Sequence, residues 1–140
     1  MGKARILIIE DEEGIRKFMK RILEPGYEVH MASNGAEGLK QARWVHPDLI
    51  LLDIRMPGLD GLTVLAKLKA NEQTRMIPVI IVSAKGETDT LLEGQRGGAV
   101  DQLIKPFTVE DLHSAIERQL IVRGEDASPD AERGKRGEAE

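Results

Sequence analysis

Pro47-Asp48-Leu49-Ile50-Leu51-Leu52-Asp53, running on into Ile54-Arg55-Met56-Pro57-Gly58, decides the fold. Every position from Leu49 to Leu52 is a large aliphatic, and the run is bounded by Pro47 before and Pro57-Gly58 after. A run this short without polar alternation is a strand buried on both faces, of the kind found at the centre of a parallel sheet. It ends on a carboxylate, Asp53. In open α/β sheets ligands bind beyond the carboxyl ends of the strands, so an acid at that point is placed for chemistry rather than for packing.

The same pattern recurs outward in both directions. Ile6-Leu7-Ile8-Ile9 is a second apolar run and also finishes in acids, Glu10-Asp11-Glu12-Glu13. Two buried strands that both end in carboxylates set those carboxylates along one edge of a sheet. Between them, Ile15, Phe18, Met19, Ile22 and Leu23 repeat at helical spacing up to Pro25-Gly26. Tyr27, Val29 and Met31 then alternate as a short strand, and Ser33 or Asn34 caps a helix through Ala36, Leu39 and Ala42 to about Val45. His46-Pro47 stops that helix.

Beyond Asp53, a loop from Met56 to Gly61 leads to a helix with Leu62, Val64, Leu65 and Leu68, ending near Ala70. Val79-Ile80-Ile81-Val82 is the next strand and ends on Ser83. A weaker helical segment spans roughly Thr88 to Gln95 and stops at Gly97-Gly98. Val100 to Ile104 is the last strand and runs into Lys105-Pro106-Phe107, after which Thr108 caps a helix carrying Val109, Leu112, Ile116, Leu120 and Ile121. Five strands alternating with five helices predict an α/β fold, a doubly wound parallel sheet with helices on both faces.

The chain has 140 residues and is 41% hydrophobic, enough for one ordinary domain, which the pattern places at residues 1–122. In the remainder, 123–140, alanine is the only aliphatic residue. From Gly124 on, six acids against three bases contribute −3 of the net −4. Such a tail is expected to be disordered, because it cannot bury enough surface to offset its ordering entropy. With no cysteine, disulfides, thiolate metal sites and thiol catalysis are excluded together. No apolar run approaches the roughly 18 residues of a membrane span, and Met1-Gly2-Lys3-Ala4-Arg5 passes into a strand without a signal-peptide layout. The expectation is a cytoplasmic protein without membrane insertion. Its scattered positive residues form no basic stripe, which argues against direct nucleic-acid binding.

Glu10, Asp11, Asp53, Ser83 and Lys105 all stand at strand ends. Three carboxylates crowded together are hard oxygen ligands whose repulsion a divalent cation relieves, and Mg²⁺ suits a site of a few carboxylates with retained waters. Lys105 offers a point charge and Ser83 a hydroxyl for phosphoryl oxygens. A carboxylate nucleophile, a metal, an ammonium and a hydroxyl are the parts that phosphoryl transfer needs, with an aspartyl phosphate as product.

Ile6-Leu7-Ile8-Ile9-Glu10-Asp11-Glu12, Pro47-Asp48-Leu49-Ile50-Leu51-Leu52-Asp53, Met56-Pro57 with Asp60-Gly61, Ser83-Ala84, Gly98-Ala99 and Lys105-Pro106-Phe107 together resemble the receiver domain of two-component response regulators, over about residues 4 to 121. The resemblance implies a flavodoxin-like, single-domain regulator in which Asp53 accepts a phosphoryl group from a phosphohistidine. Glu10, Asp11, Asp53 and the backbone carbonyl of Arg55 would hold Mg²⁺. Ser83 would move onto the phosphoryl group, Lys105 would pair with it, and the Lys105-Pro106 bond would be cis. The partners implied are a sensor histidine kinase or histidine phosphotransfer protein upstream and a separate protein target downstream, with weak homodimerisation through the last helix. No external substrate is turned over, so the chain is not expected to be an enzyme in the usual sense.

Two departures from the family stand out. Gln102 stands three residues before the lysine, where the family's switch has an aromatic ring. Arg55 and Lys85, two residues after Asp53 and Ser83, are long cations at positions that tune hydrolysis in this family. Rival readings remain. A receiver-like interaction module acting without phosphorylation takes its support from Gln102. A haloacid-dehalogenase-like phosphatase needs an acid where Arg55 stands. Taken singly, an aspartate after an apolar strand is usually a turn or cap residue, and Ser83 could be one too. It is the agreement of four other strand-end groups that marks Asp53. His30, His46 and His113 are too far apart in the pattern to suggest ligation, and Trp44, Phe18, Phe107 and Tyr27 are expected in the core or at its rim.

Overall fold

The structure, a computed structural model, describes residues 2–84 and 86–122. Lys85 and the tail at 123–140 lie outside the described residues. The chain runs β1 (Arg5–Ile9), α1 (Glu13–Leu23), β2 (Glu28–Ala32), α2 (Gly35–Val45), β3 (Leu49–Asp53), α3 (Gly61–Ala70), β4 (Val79–Ala84), α4 (Thr88–Arg96), β5 (Asp101–Lys105) and α5 (Val109–Val122). The five strands pair in parallel in the order β2-β1-β3-β4-β5, which is the flavodoxin-like arrangement. The alternation legible in the sequence is therefore the observed topology. The last strand begins one residue later than expected, at Asp101.

The uninterrupted apolar runs follow from burial on both sides. Successive strand side chains point to opposite faces. Ile6 and Ile8, Leu49 and Leu51, Ile80 and Val82, and Leu103 form one cluster with Met19 and Leu23 of α1 and Leu112, Ile116 and Leu120 of α5. Leu7 and Ile9, Ile50 and Leu52, and Val79 and Ile81 form the other with Ala42 of α2 and Val64, Leu65 and Leu68 of α3. Helices on both faces leave no room for a polar pleat in β1 or β3. From Ile6 to Ile9 and from Leu49 to Leu52, every residue is fully buried.

Local signals fix the helix ends. Asn34 Oδ1 accepts the Glu37 N–H at 2.8 Å, which selects Asn34 over Ser33 as the cap of α2. Asp60 Oδ1 accepts the Thr63 N–H at 2.9 Å and caps α3. Thr108 Oγ1 accepts the Asp111 N–H and Asp111 Oδ2 accepts the Thr108 N–H, both at 3.0 Å, a reciprocal box ahead of α5. His46 closes α2 with a left-handed backbone, φ 52°, just before Pro47. One expectation fails: Trp44 is neither core nor rim but 78% exposed, because the last turn of α2 leaves it pointing away from the sheet.

Gly61 joins this framework to the strand end. A Cβ built there would stand 2.6 Å from the Ile54 Cα and would also meet the Asp53 carbonyl, so only glycine lets α3 start against the end of β3. Gly61→Ala should cost about 1–3 kcal/mol in urea unfolding, the usual range for overpacking. Gly14→Ala, in the first turn of α1 with open space around it, should instead stabilise by up to ~1 kcal/mol. Equal effects of the two substitutions would contradict this packing.

Candidate functional site

The expected strand-end residues converge at the carboxyl edge of the sheet, beside the β1–β3 boundary where the strand order reverses. Asp53 ends β3 and is 4% exposed, while Glu10 follows β1 directly and is 1% exposed. Both continue the pleat phase of Ile6-Ile8 and Leu49-Leu51, so they project to the α1–α5 side, and Lys105 continues the phase of Leu103 on the same side. Lys105 Nζ lies 3.4 Å from Glu10 Oε1 and 3.6 Å from Asp53 Oδ1. One ammonium thus faces two buried carboxyl groups.

That imbalance appears in their protonation. Burial, then the neighbouring Asp53 charge, push the Glu10 carboxyl up to about 7, against opposing pulls from the Glu12 N–H and Lys105. The Glu12 N–H donates to Glu10 Oε2 at 3.2 Å. Burial also raises Asp53, although Lys105, a hydrogen bond from Glu10 and the Arg55 N–H at 3.4 Å from Oδ1 oppose it. Burial alone would lower Lys105, but the attraction of Asp53 and Glu10 outweighs it and the ammonium is held above its ordinary range. One carboxyl oxygen each from Glu10, Asp11 and Asp53 lie within 4.8 Å of one another. Glu10 Oε1 is buried and accepts no hydrogen bond. Hard oxygen donors so crowded, one of them faced only by the Lys105 ammonium at 3.4 Å, fit a divalent cation such as Mg²⁺.

The other expected residues are placed less directly. Ser83 is buried at the end of β4, but it belongs to the opposite pleat phase, that of Val79 and Ile81, and its hydroxyl has no hydrogen-bond partner. It is near the site in the fold without yet bonding Asp53. Gln102 is exposed on the edge strand β5, on the same pleat phase as Ser83 by the pairing Ser83–Ile104. Arg55 does not lie free over the site, because its guanidinium pairs with Glu87, ahead of α4. Lys85 is not among the described residues. The Lys105-Pro106 bond is cis, as the resemblance implied.

Sequence reading missed two contributors. Arg16, on α1, donates to the carbonyls of Glu10 and Asp11 at 2.8 and 2.9 Å and ties the acidic turn to the helix. A basic residue five or six positions after an acid pair is the only sign of it. Glu87 gave no sign, since an acid before a weak helix reads as a cap.

With this geometry, comparison with known proteins is informative. The response regulator receiver domain family matches residues 6–117. Sporulation initiation phosphotransferase F of Bacillus subtilis is 35% identical, over 88% of this chain and 98% of its own length. Regulatory protein AtoC of Escherichia coli is 40% identical over 83% of this chain, which spans only 25% of that longer protein. Among solved structures, the receiver domain of sensor histidine kinase PA1611 from Pseudomonas aeruginosa, with a magnesium ion coordinated in its active site cleft, superposes with a TM-score of 0.78. It shares 28% identity, over 85% of this chain and 98% of that one. Strand order, site geometry and these matches agree: the chain belongs to the response regulator receiver domain family.

Proposed function

We propose that this chain accepts a phosphoryl group on Asp53 from a phosphohistidine and thereby changes which protein it binds. The observation that carries the reading is the convergence of Lys105 Nζ, at 3.4 and 3.6 Å, on the buried carboxyls of Glu10 and Asp53. Asp53 is the carboxylate aligned with that ammonium at the end of the central strand. A carboxylate oxygen of Asp53 attacks phosphorus, the new O–P bond forms as the donor's N–P bond breaks, and the imidazole leaves with the electron pair. Lys105 neutralises charge on the transferred oxygens, and the unpartnered Ser83 hydroxyl is free to turn and donate to one of them. Glu10, Asp11, Asp53 and the Arg55 carbonyl would hold Mg²⁺, which when bound offsets the carboxylate repulsion and the negative charge of the phosphoryl group.

A sensor histidine kinase or histidine phosphotransfer protein upstream, a protein target downstream and a cytoplasmic setting complete the proposal. Receiver-family membership supports each, and no helix among the described residues is long and apolar enough to cross a membrane. Arg55 and Lys85 are proposed to tune the phosphoryl lifetime, and Ser83 with Gln102 to report it. Exposed Gln102, in place of an aromatic, favours one second reading, a module that binds its partner without phosphorylation.

Intact mass after incubation with acetyl phosphate and Mg²⁺ tests the proposal. Wild type should gain one labile phosphoryl group, and Asp53→Asn, folded by circular dichroism, should gain none. Chelator should abolish the gain. Failure of wild type with both acetyl phosphate and a phosphohistidine donor would favour the phosphorylation-independent module.

The raised carboxyl groups also set a pH dependence. The folded chain holds its Glu10 proton to about pH 7, above the unfolded value of 4.5, so it binds more protons than the unfolded chain between those limits. The resulting stabilisation is complete below the unfolded value and is lost as pH rises through the folded one. Asp53 acts in the same sense. In metal-free buffer, stability from urea unfolding should fall between pH 5 and pH 8 by on the order of 3 kcal/mol at most. Asp53→Asn should flatten the slope, and a stability that rises over this range would contradict the charge crowding.

A further inference from the structure

The rim of the site beyond the ends of β3 and β4 is held by an anion of the chain's own. Glu87 Oε1 accepts the Ala84 N–H at 3.0 Å, and Oε2 pairs with the Arg55 guanidinium. The Glu87 side chain is 10% exposed while that of Arg55 is 77% exposed, so the carboxylate is the anchored half of the pair. Its two donors come from the residue after Ser83 and the residue two after Asp53. Ala84 shares the pleat phase of Val82, which pairs with Asp53 on the adjacent strand. Burial would raise the Glu87 carboxyl, but Arg55, the Ala84 N–H and the more distant Lys105 charge outweigh it and keep it ionised. The pair borders a cavity of about 510 Å³ shared with Pro57, Asp60 and Thr90, open space into which the carboxylate can withdraw.

A guanidinium and a free backbone N–H are the donor types that bind phosphoryl oxygens. Here both are already satisfied by a carboxylate. We propose that Glu87 is an internal competitor for these donors, which an incoming anionic phosphodonor must displace. It thus sets the donor concentration that phosphorylation requires rather than the rate of the transfer itself. The inference rests on Asp53 being the phosphoacceptor. In the transfer, the Asp53 O–P bond forms and the donor's bond to phosphorus breaks, while Glu87 exchanges only hydrogen bonds and charge partners.

The test is the initial rate of aspartyl phosphate formation across a range of acetyl phosphate concentrations, with Mg²⁺, followed by intact mass. Wild type, Glu87→Ala, Glu87→Gln, Arg55→Ala and the Arg55→Ala plus Glu87→Ala double variant are compared, with circular dichroism for the fold. Glu87→Ala should lower the half-saturating donor concentration by about fivefold, the equivalent of one modest charge pair. The maximal rate should stay within about twofold of wild type, since no group at the reacting atoms is lost. Glu87→Gln keeps an acceptor for the Ala84 N–H but loses the charge, so it should show a smaller gain in the same direction. In the Arg55→Ala background the gain should shrink by at least about half, because paired residues are not additive. A half-saturating concentration that stays at the wild-type value in both Glu87 variants, with wild type phosphorylated, overturns the role of Glu87 alone. A wild type that accepts no phosphoryl group overturns the phosphoacceptor reading and this inference with it.

Discussion

One ammonium facing two buried carboxyl groups is the interaction on which the rest of this structure depends. Lys105 stands 3.4 Å from Glu10 and 3.6 Å from Asp53, with Asp11 completing the acidic cluster. A single positive charge cannot satisfy two carboxylates out of water, and burial drives the proton onto Glu10 near neutrality. The site is therefore short of positive charge at rest. A divalent cation would supply that charge, and under the proposed function it would leave Asp53 ionised as the nucleophile.

The sheet makes this arrangement rigid. Because β1, β3 and β5 share one pleat register, Glu10, Asp53 and Lys105 emerge on the same side of three strands, over the helices α1 and α5. The two helix layers hold those strands fixed through side chains that are almost wholly buried. Arg16 secures the acidic turn from α1, and Gly61 lets α3 start directly against the Asp53 carbonyl. The groups proposed to change partners lie outside this rigid frame, on the opposite pleat phase or in the loops. Ser83 has an unbonded hydroxyl, and Glu87 occupies donors that a phosphoryl group would also attract. Rigidity thus coincides with the charges of the acidic cluster and Lys105, and freedom with the groups proposed to respond.

How much of this was legible in the sequence follows the same division. Strand ends are legible because burial on both faces writes an unbroken aliphatic run, and a charge that terminates such a run is conspicuous. Glu10 and Asp53 were found that way, and the cap Thr108 by its short-range pattern; Lys105 ends a strand of mixed polarity, Asp101–Lys105, and was marked by the proline that follows it. Loop contacts leave no such trace. The pairing of Arg55 with Glu87 joins residues from two separate crossovers, and the spacing in the chain does not encode it. Pleat phase was legible only in part: Ser83 was placed at the edge, but its offset from Asp53 depends on the register of β3 against β4, which pairs Asp53 with Val82. The exposure of Trp44 was misjudged because an aromatic in an amphipathic helix is normally buried, and here it sits exposed in the last turn of α2.

The charge shortage at the carboxyl edge is tested most directly by titrating the folded chain with MgCl₂ at pH 7 in buffers of different ionisation enthalpy. With Glu10 held near pH 7, calorimetry should report release of about half a proton per cation bound. The release should disappear at pH 9, where the Glu10 carboxyl has already ionised. Binding with no proton release at pH 7, or no binding at all, would contradict the account.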